Sequence, residues 1–186
     1  PQMTRIIEDG PNERRKYFDR TLSQAYPVYV RALSKFNLAV TKRNALLKQL
    51  SEQGGNRDQL VYWDNLVADN GALIITFRQS VVESMNKQMR SHHDQLTSGN
   101  EKIVLIYQPS LVVPEEKGSL LELKPISTNE EIQAVDRIKG LFLEKLLDLQ
   151  NEEIRRGVTT IGPHRDDLRF FSNDLDLSIY GSRGQI

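Results

Sequence analysis

Leu46-Leu47-Lys48-Gln49-Leu50-Ser51-Glu52-Gln53-Gly54-Gly55-Asn56-Arg57-Asp58-Gln59-Leu60-Val61-Tyr62-Trp63 reads as the end of one helix, a break and the start of a second. Gly54-Gly55-Asn56 stops the chain from continuing as a single rod. Upstream, Val28 to Leu50 spaces Val30, Leu33, Ala39 or Val40, Leu46, Leu47 and Leu50 at helical intervals. Lys35, Lys42, Arg43 and Lys48 fall on the other faces, which predicts an amphipathic helix of about six turns. Downstream, Leu60 to Leu96 carries Leu60, Trp63, Leu66, Val67, Leu73, Ile74, Phe77, Val81, Met85 and Met89. Two long helices joined by a short glycine-rich turn are expected to lie antiparallel. The spacing is not a strict heptad, so a helical hairpin or bundle is expected rather than a long coiled coil. Gly71 interrupts the second helix at about 1 kcal/mol relative to alanine, tolerable where a partner helix packs closely.

On the N-terminal side, Glu8-Asp9-Gly10-Pro11-Asn12 is a turn cluster with Pro11 placed to start a helix. Tyr17, Phe18, Leu22 and Ala25 follow at helical spacing, and Tyr26-Pro27 separates this helix from the next. On the C-terminal side, Thr97-Ser98-Gly99-Asn100 ends the helical section, and Lys102 to Tyr107 is a β-branched and aromatic run of strand length. Pro114 to Ser119 reads as an exposed loop. Thr128-Asn129-Glu130-Glu131 then starts a helix that runs to Arg156 and stops at Gly157. Val158 to Ile161 and Asp167 to Phe171 alternate like strands, and Ser172-Asn173-Asp174 reads as a hairpin turn into Leu175–Tyr180. The expected fold class is α+β, predominantly helical, with a long antiparallel helix pair and a small β-region near the C-terminus. No regular βαβ alternation occurs, so a parallel nucleotide-binding sheet is not expected here.

Composition narrows the function. The chain has 186 residues, 25 basic and 25 acidic side chains and no cysteine. Balanced charge argues against a uniform basic field, so nucleic acid would have to meet a local patch. Disulfides and thiolate metal sites are excluded, which fits a reducing compartment. No apolar run reaches the length of a membrane span, so a soluble cytoplasmic protein without a membrane partner is expected.

The motifs that carry chemistry are few. Gly162-Pro163-His164-Arg165-Asp166-Asp167-Leu168 concentrates a histidine, an arginine and two carboxylates. Adjacent residues of an extended segment point to opposite faces, so a structured turn with Arg165 paired to Asp166 or Asp167 is favoured over catalysis. His92-His93 diverge on their helix and suit a solvated surface. Arg14-Arg15-Lys16 opposes the dipole at a helix start and calls for a compensating partner, either DNA phosphate or Glu8-Asp9. Lys42-Arg43 with Lys48 forms a second basic cluster. For both clusters a solvated face is the plain alternative. Trp63, Tyr17, Phe18, Phe36 and Phe77 fit helix spacing and are read as core. The ending Tyr180-Gly181-Ser182-Arg183-Gly184-Gln185-Ile186 suits a turn whose backbone N–H groups and Ser182 hydroxyl approach phosphate oxygens. No Gly-x-x-x-x-Gly-Lys-Ser/Thr loop and no strand ending in Asp-Glu occurs, so nucleotide hydrolysis by this chain alone is not expected. No catalytic residue and no metal ligand is assigned.

Together these blocks resemble the RecF family of SMC-like ABC ATPases. Pro11-Asn12-Glu13-Arg14-Arg15-Lys16-Tyr17-Phe18-Asp19 is similar to its Pro-x-x-Arg-Arg-x-Phe-x-Asp segment, and Lys42-Arg43-Asn44-Ala45-Leu46-Leu47-Lys48 to its Arg-Asn-x-Leu-Leu-Lys signature. Trp63-Asp64 with Leu66 and Gly71, then Gly162–Leu168 with Gly181–Gln185, complete the match in order. The resemblance implies a helical arm inserted in an ATPase head, with residues 1–10 entering from the head, 11–156 forming the arm and 157–186 returning. It implies a parent that binds ATP with Mg2+, binds junctions of single- and double-stranded DNA, and forms an ATP-dependent homodimer. RecR and RecO are the implied partners, and DNA replication, recombination, repair and the SOS response the implied setting. Ser182, Gly181, Gly184 and Gln185 would complete the partner's nucleotide site, and Gln2 would stand in a phosphate-sensing loop. Arg14, Arg15, Lys42 and Arg43 are the candidate DNA contacts. A non-enzymatic helical interaction module, or the arm of another SMC-like ATPase, is the alternative.

Overall fold

The structure is a computed structural model that describes residues 10–97, 103–111, 129–173 and 175–180. Helix α1 (Pro11–Ala25) is followed by α2 (Pro27–Gln53), α3 (Gln59–Thr97), strand β1 (Ile103–Gln108), α4 (Asn129–Arg156), β2 (Asp167–Ser172), β3 (Leu175–Asp176) and a single turn α5 (Leu177–Tyr180). Pro11 and Pro27 each occupy the first helical position, where a missing N–H is harmless. Gly54 ends α2 with φ 69° and donates its N–H to the Leu50 carbonyl. That left-handed conformation is one glycine adopts without a Cβ clash.

Helices α2 and α3 form the expected antiparallel pair. Arg43 meets Asp64, Phe36 approaches Gly71, and Tyr29 meets Phe77. One helix is thus read upward as the other is read downward. Helix α4 packs against both, making a three-helix layer, while α1 rests on α2 and β2. The core runs through Phe36, Ala39, Val67, Ala72, Ile75, Ile138, Phe142 and Leu146. Burying a phenylalanine of this kind contributes about 1.5–3 kcal/mol.

The sheet has the order β1-β2-β3 and is antiparallel throughout, with Ile103 opposite Ser172 and Gln108 opposite Asp167. Its open side is met by α3, where Asn86 accepts the Leu105 N–H and donates to the Leu105 carbonyl, both at 2.8 Å.

Three expectations change. Val158 to Ile161 is a bend rather than a strand, because its polar groups are taken by helix side chains. After Asn173, at φ 47°, strand geometry lasts only through Asp176 before the α5 turn. Asp176 causes this by accepting the Ser178 N–H and hydroxyl, a local bond that favours a turn. Val30 and Tyr17 are exposed at 39% and 42%, on the outer faces of α2 and α1. The Pro114–Ser119 loop lies outside the described residues.

Two glycines inside helices give opposite expectations. A Cβ on Gly71 would lie 2.6 Å from Phe142 and 3.2 Å from Phe36, whereas a Cβ on Gly140 meets nothing within 4 Å. Gly71→Ala is expected to lose about 1–3 kcal/mol of stability through overpacking. Gly140→Ala should gain up to about 1 kcal/mol from helix propensity. Urea unfolding of the two variants beside the parent checks both signs.

Candidate functional site

Two buried arginines organise the polar interior. Arg78 sits on α3 between Ile74 and Val82, inside the apolar stripe, and is 1% exposed. Its Nη2 donates to Asp19 Oδ1 at 2.7 Å and its Nε to the Tyr29 hydroxyl at 3.2 Å. Its Nη1 donates to the Pro163 carbonyl at 2.8 Å and reaches Asp166 Oδ2 at 3.3 Å. Tyr29 donates to Asp19, and Tyr107 donates to Asp166. Asp166 Oδ1 accepts the Ser110 N–H at 2.7 Å and lies 2.9 Å from its hydroxyl. That hydroxyl accepts the Gly162 N–H at 2.7 Å. One guanidinium therefore ties α1, α2, α3, β1 and the Gly162–Asp167 turn together. Burial opposes the Arg78 charge, yet the surrounding Tyr29, Tyr107, Asp19 and Asp166 oxygens hold its pKa above the ordinary value. Burial, followed by Asp166, pushes the Tyr107 phenol up, so it stays a donor.

The second centre lies nearer the helical turn. Arg43 is wholly buried on α2, one turn from Ala39 and from Leu47. Its Nε donates to Asp64 Oδ1 at 2.6 Å, and its Nη1 to Glu153 Oε2 at 2.5 Å and Thr159 Oγ1 at 3.0 Å. Glu153 Oε1 accepts the Thr160 N–H and hydroxyl, and Asn44 Oδ1 accepts the Thr159 N–H and hydroxyl. Burial pushes the Asp64 carboxyl up against the opposing pull of Arg43. The segment after α4 is thereby fixed by side chains of α2 and α4.

From there the chain enters Gly162-Pro163-His164-Arg165-Asp166-Asp167. Gly162 has φ 116°, and a Cβ there would lie 2.8 Å from Phe142. The expected Arg165 pairing does not form. Arg165 donates to the Thr159 carbonyl, Asp166 turns inward to Arg78, and Asp167 receives Arg14. His164 Nε2 also lies 3.2 Å from the Thr159 carbonyl. A carbonyl only accepts, so Nε2 carries the proton and Nδ1 is left as a buried acceptor with no partner. Burial, with Arg165 adding to it, lowers the His164 pKa to about 4, and the ring is neutral at neutral pH.

Of the residues expected to contact DNA, two are corrected. Arg43 is 0% exposed between two carboxylates, and Arg14 is 5% exposed in a two-pronged bond to Asp167 at 2.9 and 2.7 Å. A buried guanidinium forked onto a carboxylate presents no face to phosphate. Arg15 is half-buried and donates to the Asp166 carbonyl at 2.6 Å, while Lys42 is exposed. The cations that oppose the α1 dipole are thus met by Asp167, the Asp166 carbonyl and, for Lys16, Glu13 at 2.7 Å. Gln2, Gly181, Ser182, Gly184, Gln185 and the Glu8-Asp9 pair lie outside the described residues. Sequence reasoning misses Tyr29, Arg78, Ser110 and Glu153, and it meets Asp19 and Tyr107 only as members of a motif and a strand run. The available signal was an arginine standing at an apolar helical position, as Arg78 and Arg43 both do. Among the described residues no group of three or more metal-ligating side chains converges, and no helix is long and apolar enough to cross a membrane.

No family model matches the chain. Curated relatives do match, from end to end. The DNA replication and repair protein RecF of Halothermothrix orenii is 37% identical over 188 residues, covering 100% of this chain and 46% of the relative. RecF of Acetivibrio thermocellus is 34% identical over 185 residues, with coverage of 100% and 46%. Among solved structures, the recombination mediator protein RecF with ATPrS in the RecFOR pathway superposes with a TM-score of 0.81. It is 29% identical and covers 100% of this chain and 45% of its own. The chain spans about half the length of the curated relatives it matches. Its resemblance to RecF therefore extends over every block from Pro11 to Gln185.

Arg43→Met is expected to cost about 3–5 kcal/mol, because Asp64 and Glu153 lose the charge that compensates them. Guanidinium unfolding checks this. For His164 the unfolded chain, near 6.5, takes its proton before the folded chain, near 4. Stability should therefore fall as pH drops from about 6.5 toward 4, by about 3 kcal/mol at the limit. Urea midpoints measured at several pH values should show a smaller loss for His164→Phe than for the parent.

Proposed function

We propose that this chain is the helical arm of a RecF-like ATPase that acts in recombinational DNA repair and in repair at gaps and replication forks. The observation that carries the reading is the match to RecF proteins along all of the chain. Residues 1–10 enter from the ATPase head, 11–156 form the arm, and 157–186 return to it. The parent protein binds ATP with Mg2+, binds junctions of single- and double-stranded DNA in the cytoplasm, and works with RecR and RecO in recombination and the SOS response. ATP binding stabilises a homodimer in which each signature loop completes the partner's nucleotide site. Ser182 donates to the γ-phosphate in trans, Gly181 and Gly184 let the backbone approach, Gln185 sets the loop, and Gln2 senses the phosphate from the other side. The path from Gly162 through β2 and β3 supports this division of labour, because Arg78 and Arg14 brace the chain that leads toward the loop. DNA contact is carried by exposed cations, Lys42 and the outer face of Arg15, rather than by the two buried arginines.

The test is ATP-dependent dimerisation of the full-length protein, followed by analytical ultracentrifugation. Ser182→Arg is expected to abolish the ATP-dependent shift, and an unchanged dimer would remove Ser182 from the trans site. In the same protein, Lys42→Glu should weaken DNA binding and flatten its salt dependence by about one ion.

A further inference from the structure

Helix α2 carries Arg31, Lys35, Lys42, Arg43 and Lys48, and its single carboxylate, Glu52, stands in the last turn. Arg43 is buried between Asp64 and Glu153, whereas the other four cations are exposed. Among the described residues, none of those four forms an ion pair. On α1, α3 and α4, by contrast, Lys16, Lys87, Lys145 and Arg156 each meet a carboxylate one turn away. The outer face of α2 therefore holds positive charge that the fold leaves unanswered.

Arg31, Lys35 and Lys42 share one stripe of that face. At the α-helical repeat they lie within about 40° of arc and span about 16 Å of helix. Like charges one turn apart repel, so Arg31 beside Lys35 is a local cost that calls for an anionic partner. Leu38, 58% exposed, stands between Lys35 and Lys42, and Ala45 and Gln49 continue the stripe without an aromatic ring. Single-stranded nucleic acid is held by cations interleaved with aromatic rings on which bases stack, and this stripe offers no such ring. Protein interfaces have cores poor in lysine, whereas Leu38 is flanked by two. A duplex, with a charge about every 1.7 Å of its axis, fits a row of cations best. The stripe is longer than the roughly 12 Å width of the major groove, so its two ends can meet phosphates on both edges.

We propose that the outer face of α2 docks the phosphate backbone of double-stranded DNA. Arg31 and Lys35 hold one edge of a groove, Lys42 holds the other, and Leu38 lies over the gap between them. The contact positions the duplex and reads no base, because phosphate bonds carry no sequence information. The assignment rests on the DNA-binding reading above. It adds Arg31 and Lys35 to that reading and gives this face to the duplex side of a junction.

The experiment uses the full-length protein with two probes, a blunt duplex and a single strand of the same length, and follows affinity against salt by fluorescence anisotropy. Arg31→Gln, Lys35→Gln and Lys42→Gln are combined, since glutamine keeps the helix propensity of the residues it replaces. The logarithmic salt slope on the duplex is expected to fall by about 2.7, because each lost phosphate contact removes about 0.9. The fall should be the same for duplexes of unrelated sequence. Lys145→Gln with Arg156→Gln removes two exposed but paired cations from α4 and should leave the slope in place. A triple variant with the parent's slope, or a fall matched by the α4 control, would overturn the docking surface while leaving DNA binding intact. An equal fall on the single strand would overturn its assignment to the duplex. Retained slope together with polyglutamate binding that the triple variant loses would give the face to an acidic protein segment instead. A parent protein that binds neither probe would overturn the DNA-binding reading together with the surface.

Discussion

A charged guanidinium placed in the middle of an apolar helix stripe must be answered from every side, and Arg78 is answered by three segments distant in sequence. Asp19 comes from α1, Tyr29 from α2, Pro163 and Asp166 from the turn after α4. Removing a charge from water without full pairing costs several kcal/mol, so the alternatives to this arrangement are poor. The consequence is specificity of placement. An apolar residue at position 78 would pack on α2 in more than one rotation, whereas the fork of Arg78 accepts one.

Arg43 gathers segments at the other end of the helix pair through its Nε and Nη1, while its buried Nη2 has no hydrogen-bond partner among the described residues. Asp64 and Glu153 arrive from α3 and α4, and Thr159 and Thr160 are drawn in behind them. Between the two centres lie Gly71 and Gly162, both facing Phe142 and Phe36 at distances no side chain could share. Phe36 and Phe142 thus sit between two arginine centres that are buried as deeply as the rings.

Much of the helical layer is readable from residue spacing alone. The glycine break, the two amphipathic stretches and the Pro27 start leave little freedom, and the antiparallel pairing follows from a short connection. What the pattern does not convey is where charges go. Arg14 and Arg43 look like surface cations until carboxylates 153 and 110 residues away are placed beside them. The same blindness explains Val158–Ile161. Its alternation is strand-like, but Asn44 and Glu153 take the hydrogen bonds that a neighbouring strand would have made. The acceptor left on His164 also depends on a carbonyl whose position only the fold supplies.

Asn86 has a further consequence for how this small sheet meets other chains. Strand β1 lies at the edge of the order β1-β2-β3, and an uncovered edge is a template for strand addition and aggregation. The Asn86 amide imitates a peptide unit, filling both the N–H and the carbonyl of Leu105 at the centre of that edge. A foreign strand would first have to displace an intramolecular pair, so α3 acts as the sheet's chaperone as well as its support.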